Sequence, residues 1–453
     1  MRLPRALLLT VALLAGCAGS EPTTPPSVVI RLERGDDQAG EVGTLLDPIV
    51  VMLIGADGAP LPGVAVTVRT PAGGSAALDS PRSAPDGSVT IRWRLAEQLG
   101  DQALEVSADG ARTLVLKAHA FTAPPERLPL DRVLLIGLPT YEGSGEAVHP
   151  DVAVDPLWSQ RLLMAFTPYP GGDSRYENPS IVTTITPRSW TVPHGVSNPI
   201  AAISDGYLSD PDLVAPQGDR WSLYYRAVVD GTNRILMRQS DDAVQWGAPV
   251  EVLRTPNHDV VSPAIVRGGH SGSWKMWSVN SGVAGCRAAQ TTVEFREASD
   301  GRRWGAPVVS DLVWPGRVAW HLDVIWVAAR QEYWALVATY PAGSTCVTDQ
   351  LQFARSTDGV RWTRHPEPIL TAGILPEFSD VIYRSSLQVE PEQGTVVFWL
   401  SGARFNGSVY TWRTGALRVG IPTLLDGTRP LVPALFAGAL ADRALLPMPE
   451  RDY

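Results

Sequence analysis

Five short phrases hold the residues best suited to chemistry. They are His149-Pro150-Asp151-Val152, Asp210-Pro211-Asp212-Leu213, Ser262-Pro263-Ala264-Ile265, His321-Leu322-Asp323-Val324 and Arg384-Ser385-Ser386-Leu387. Their third residues recur at intervals of 61, 52, 59 and 63. Paired carboxylates can act as general acid, general base or nucleophile, and imidazole exchanges a proton near neutral pH. A guanidinium fork can hold a carboxylate, such as that of an acidic sugar. Four acids, two histidines and an arginine brought to one place form a polar pocket for a sugar or a cation, because buried acids need partners or water. The structural alternative is that the same side chains bond to neighbouring strands and stiffen the core they line.

The elements that position these phrases also repeat. Each phrase is followed by an aromatic-rich strand: LLMAFTPYP, WSLYYR, WKMWSVN, YWALVATYP and VVFWLSG. Trp190, Trp246, Trp304 and Trp362, spaced by 56, 58 and 58 residues, end the phrases TITPRSW, SDDAVQW, ASDGRRW and STDGVRW. A repeat of this length built from about four strands predicts a β-propeller, and five copies of the first strand predict five blades. In such a fold the first strand of each blade lines the central channel, so the five phrases meet at one end of it. Arg132–Ile136 is expected to close the ring against the last blade. The Asp-Gly turn before tryptophan resembles the Asp-box of sialidases, which implies a structural hairpin on the rim.

Five blades with "HPDV" and "SDPD" on successive inner strands resemble the five-bladed glycoside hydrolases of families 43 and 32, over roughly Arg132 to Gly420. The resemblance implies Asp151 as general base or nucleophile, with Asp210 or Asp212 tuning its pKa; Asp323 joins the catalytic candidates. The family's acid glutamate is missing, since the third blade reads Ser262-Pro263-Ala264. A proton donor must then be His149, His321 or, if its loop folds back over the pocket, Glu177. Asp210, Glu177, Tyr383 and Arg384 are the expected substrate contacts. No metal ligand set is demanded and no cofactor is required, although the resemblance implies a calcium ion in the pore. HExxH, Walker and dinucleotide-binding motifs are absent.

Upstream, about seven short strands between Val28 and Phe121 predict a β-sandwich. "GADGAPLPGVAVTV", "DGSVTIRW" and "ALEVSADG" resemble a bacterial Ig-like domain of the intimin/invasin type, which implies a spacer or stalk. The basic start, the apolar run Ala6–Leu14 and Leu14-Ala15-Gly16-Cys17 resemble a lipoprotein signal with its lipobox, implying a lipid on Cys17; Ala18 favours the outer membrane. The expected organisation is therefore signal peptide 1–17, tether 18–27, Ig-like sandwich 28–121, linker 122–130, propeller 131–420 and irregular tail 421–453. The all-β chain is expected to be exported, anchored only through lipid, and monomeric. Cys286 and Cys346 occupy equivalent loops of adjacent blades and are expected to pair. A net charge of −9 argues against a nucleic-acid partner. The function these features support is a surface-anchored glycoside hydrolase acting on extracellular glycan. The alternative is a non-catalytic glycan-binding or adhesive lipoprotein on a degenerate hydrolase scaffold.

Overall fold

The computed structural model describes residues 27–121 and 128–426, apart from 157, 194, 218, 219, 270 and 271. The signal segment with Cys17, the tether through residue 26, linker residues 122–127 and the tail beyond 426 lie outside the described residues. Among the described residues no helix is long and apolar enough to cross a membrane.

Residues 28–121 form two four-stranded sheets. One runs Val28–Arg34, Ile49–Gly55, Ser88–Arg94, Ser75–Leu78 in spatial order; the other runs Gln38–Glu41, Leu114–Phe121, Gly100–Ala108, Val66–Arg69. Alternation decides what each strand buries: Ile49, Val51 and Leu53 are buried while Val50, Met52 and Ile54 are only partly so. Trp93 sits in a shared core with Leu104, Val106 and Leu116 of the opposite sheet, which makes the unit a sandwich.

The remaining sheets are antiparallel meanders of four strands or more. Blade 1 comprises Ala147–Asp155, Trp158–Pro168, Ser180–Thr186 and Ser189–Thr191; blade 2, Tyr207–Val214, Trp221–Val229, Thr232–Ser240 and Val250–Pro256. Blade 3 comprises Val261–Arg267, Trp274–Asn280, Thr292–Ala298 and Val308–Ser310; blade 4, Arg317–Val327, Glu332–Pro341, Gln350–Ser356 and Thr363–Arg364. In blade 5 the inner strand is split into Val381–Ile382 and Ser386–Glu390, followed by Thr395–Phe405 and Tyr410–Gly420. Its outer edge is supplied by Val133–Ile136, which pairs with Tyr410–Gly420 and so fastens the two ends of the ring. The inner strands touch one another in a closed circle, blade 1 against blade 5 included. The result is a five-bladed propeller. The tail begins as a short helix, Ile421–Asp426, with Leu424 buried against blades 4 and 5.

The tryptophan-ended turns tie blade to blade. Asp242, Asp300 and Asp358 each accept two backbone N–H bonds at 2.8–2.9 Å from the residues two and three further on. Between them sits a left-handed residue: Gly301, Gly359 and, strained for want of a glycine, Ala243 at φ 58°. The carbonyls of Gly301 and Gly359 accept bonds from Tyr224 Oη and Trp277 Nε1 of the preceding blade. A Cβ at either glycine would stand 2.6 Å from those aromatic side chains.

Candidate active site at the channel mouth

The site is built by a bulge repeated around the ring. On blades 1 to 4 the pairing of the first two strands slips at the phrase, between Val148 and Asp151, Ser209 and Asp212, Val261 and Ala264, and Ala319 and His321. His149, Asp210 and Ser262 there have φ of 56°, 51° and 51°, a left-handed conformation that is costly for any residue but glycine. Each is followed by proline, which has no N–H to leave unpaired in the slipped ladder. A bulge re-aims the side chain it carries. Here it turns His149 and Asp210 up into a cavity of about 960 Å³.

His149, Asp210 and His321 converge on the floor of that cavity. Asp210 Oδ1 lies 3.0 Å from His321 Nδ1 and 3.5 Å from His149 Nε2, and one ligand atom from each residue falls within 4.8 Å of the others. All three residues are at least 98% buried. Yet His149 Nε2 and His321 Nε2 have no hydrogen-bond partner, and the close approach of His321 Nδ1 to Asp210 Oδ1 lacks the geometry of a hydrogen bond, which leaves those two atoms unsatisfied as well. Unpaired buried polar atoms are expensive, and four in one cluster mark a place where something else binds. Burial holds His149 well below the usual imidazole value and His321 below it. Burial opposes the charge on Asp210, but the two imidazoles and the Arg226 guanidinium outweigh it and keep that carboxyl well below its ordinary range. One carboxylate and two imidazoles are a donor set that suits a metal ion.

Around this cluster stand Tyr383, whose ring lies edge-on to His321 at 4.3 Å between centroids, and Thr167, whose hydroxyl is 2.9 Å from His149 Nδ1. Glu177 does fold back over the pocket. Its loop is shaped by the turn Ser174–Tyr176 and tied to blade 2 where Leu208 N–H donates to the Glu177 carbonyl. Its Oε1 is 3.9 Å from His149 Nδ1; burial, then the charge of Asp210, pushes its carboxyl well above the usual range.

The second set of acids requires a correction. Asp151, Asp212 and Asp323 do converge, with carboxylate atoms within 4.8 Å of one another, but none of them lines the cavity. Each reaches sideways to the next blade: Asp151 accepts from Leu213 N–H, Asp212 from Ile265 N–H at 3.1 Å and Asp323 from Leu387 N–H at 3.1 Å. Blade 3 has no acid at this level, and there Ser262 Oγ bonds both the N–H and the carbonyl of Leu322 on blade 4. These are latches between blades, the structural alternative for this layer. Burial raises Asp151 to about 6 and Asp323 to about 7, and burial with the charge of Asp151 holds Asp212 well above the ordinary carboxylate range. Arg384 is likewise no substrate contact. Fully buried, it crosses the channel to the carbonyls of Pro211 and Pro263, 2.8 and 3.3 Å away, and to Asp212 at 3.5 Å.

One residue of the cavity wall, and the position of the expected disulfide in that wall, emerge only from the structure. Arg226 stands beside Asp210, and the Cys286–Cys346 disulfide, with Cα atoms 4.9 Å apart, forms part of the wall itself. The disulfide was legible from equivalent loop positions. Arg226 was not, because the strand WSLYYR carries it at a place filled by small or neutral residues in the other blades.

No family model matches the sequence. A curated relative, the A type blood N-acetyl-alpha-D-galactosamine deacetylase of Flavonifractor plautii, is 29% identical over 308 residues, covering 56% of this chain and 40% of that protein. Thus the chain spans about two-fifths of the relative's length. Among solved structures, an N-acetylgalactosamine deacetylase from F. plautii in complex with blood group B trisaccharide superposes with a TM-score of 0.60 at 24% identity, covering 67% of this chain and 99% of that one. This chain shares that fold. A thermostable family-43 glycoside hydrolase is also similar, at a TM-score of 0.46 and 12% identity, over 60% of this chain and 88% of the other.

Proposed function

We propose that this chain is a divalent-metal-dependent hydrolase that removes acetyl groups from N-acetylated sugars of a glycan. The observation that carries the reading is the cluster of unpartnered donors on His149, Asp210 and His321. Two imidazoles and one carboxylate suit zinc or a similar transition ion better than the calcium expected from the family resemblance, which prefers oxygen donors. Such an ion, when bound, supplies Lewis acidity and an acidified water. The chain's own groups do the rest. Glu177, over the cluster and 3.9 Å from His149, is the carboxyl placed to exchange protons with water and with the leaving amine. Tyr383, kept protonated by burial, presents a donor to a developing oxyanion. The cavity is large enough for a sugar with its neighbours. The name of the relative supports the acetamido sugar as substrate.

The glycosidase reading loses its general base, because Asp151 is turned away from the cavity. The binding-only reading leaves the unpartnered cluster without a purpose. The deciding assay incubates the purified chain with an oligosaccharide ending in N-acetylgalactosamine and follows acetate, free amine and released monosaccharide. Acetate and amine in equal amounts, lost with EDTA and restored by zinc, support the proposal. Monosaccharide release, or sugar binding without either product, overturns it. The proposal extends to the setting: the sandwich acts as an Ig-like stalk and Cys17 carries a lipid anchor. Cys17→Ser is then expected to move the exported protein from the membrane to the soluble fraction, and its retention on the membrane would refute the anchor.

A further inference from the structure

The carboxylate of Asp210 is held from one side only. Its Oδ2 accepts from Ser209 Oγ at 3.1 Å and lies 3.6 Å from Arg226 Nη1, while Oδ1 points at the two imidazoles without a hydrogen bond. Arg226 is 96% buried and is itself fixed in place. Its Nε donates to Asn233 Oδ1 at 2.6 Å and its Nη2 to His258 Nδ1 at 2.8 Å. An arginine can only donate, so His258 Nδ1 must accept and its proton lies on Nε2. The imidazole of His258 is packed flush against Gly285: a Cβ there would meet His258 Cδ2 at 2.7 Å. Gly285 begins the turn Gly285–Arg287 that carries Cys286 of the disulfide. A line of contacts thus runs from the disulfide through His258 to Arg226 and Asp210.

We infer that Arg226 is a positioning residue: it holds Oδ2 of Asp210 so that Oδ1 is presented to a cation between His149 and His321, with Asn233 and His258 keeping the guanidinium in register. This rests on the metal reading proposed above. A planar fork held at two points fixes an orientation that a lysine ammonium cannot. Loss of such outer support lowers metal affinity by about 10–100-fold.

The test is a cobalt(II) titration of the full chain, wild type against Arg226→Met, Arg226→Lys and Asn233→Ala, reading both affinity and the visible d–d spectrum. The expected result is a single tight site in wild type. Arg226→Met should bind about 10–100-fold more weakly with an altered spectrum. Arg226→Lys should recover affinity only in part, and Asn233→Ala should weaken it less, in the same direction. A wild type that binds no cobalt overturns the metal reading and this inference with it. A wild type that binds, beside an Arg226→Met of equal affinity and identical spectrum, overturns the role of Arg226 alone. Should Arg226→Met fail to fold, unchanged affinity and spectrum in Asn233→Ala would overturn it as well.

Discussion

Two layers of ionisable side chains stand two residues apart on the same inner strands, and they differ in one respect. In the lower layer Asp151, Asp212 and Asp323 each receive a backbone N–H from the neighbouring blade, and Arg384 spans the gap between blades. In the upper layer His149, Asp210 and His321 are as deeply buried, yet their inward-facing atoms face one another and no group of a neighbouring blade bonds them. Burial and polarity alone therefore do not separate architecture from chemistry. The accounting of donors and acceptors does: the lower carboxylates are each satisfied by a neighbouring blade, with Arg384 Nε and Ser386 Oγ the atoms left over there, whereas the unpartnered atoms of the upper layer converge on one point.

The sharpest way to break this contrast is to exchange the layers' fates by substitution. Asp210→Asn or His321→Ala should abolish metal binding and lower kcat by about 10³-fold or more while the chain stays folded, which metal analysis and circular dichroism would establish. Asp151→Asn, in the layer below, should leave turnover within a few-fold of wild type. A loss as large as that of Asp210→Asn would return Asp151 to the catalytic role its position first suggested. Next in size is Glu177→Gln, for which kcat should drop about 10²–10⁴-fold with metal content unchanged; concurrent loss of metal would make Glu177 a ligand and not a base.

The five phrases were legible because their spacing follows the blade repeat, and that repeat also revealed the propeller, its closing strand and the disulfide. Which layer faces the cavity was not legible. In a regular strand the first and third residues of each phrase share a face. The left-handed bulge at His149, Asp210 and Ser262 breaks that rule: it turns His149 and Asp210 into the cavity while Asp151 and Asp212 reach the next blade, and on blade 3 it is Ser262 itself that reaches across. The prolines after these residues are its only trace in the sequence. Glu177 was readable only as a conditional candidate, since a loop's return path depends on contacts such as Leu208 N–H to its carbonyl. Arg226 carried no signal at all, because a single polar residue on an aromatic strand says nothing about what it faces.

Smaller effects sharpen the architectural side. Asp323 has a folded-state pKa of about 7, against an ordinary value of 3.8. The folded chain thus holds a proton there that the unfolded chain has released, so stability falls as pH rises from about 4 through 7. Asp323→Asn keeps an acceptor for Leu387 N–H and removes that loss. It should match wild type near pH 4 and exceed it by about 1–3 kcal/mol at pH 8 in urea denaturation. A pH-independent difference would contradict the assignment of a raised pKa. Removing the disulfide with Cys286→Ser and Cys346→Ser should cost about 2–4 kcal/mol under oxidising conditions, and reducing agent should then no longer shift the mutant's denaturation midpoint.

Anomalous diffraction at the zinc edge from crystals soaked in zinc decides whether the upper layer or the lower one is the ligand site. One strong peak is expected within bonding distance of His149 Nε2, Asp210 Oδ1 and a ring nitrogen of His321. A peak lying instead among Asp151, Asp212 and Asp323, or no peak in the channel at all, would contradict the upper-layer site.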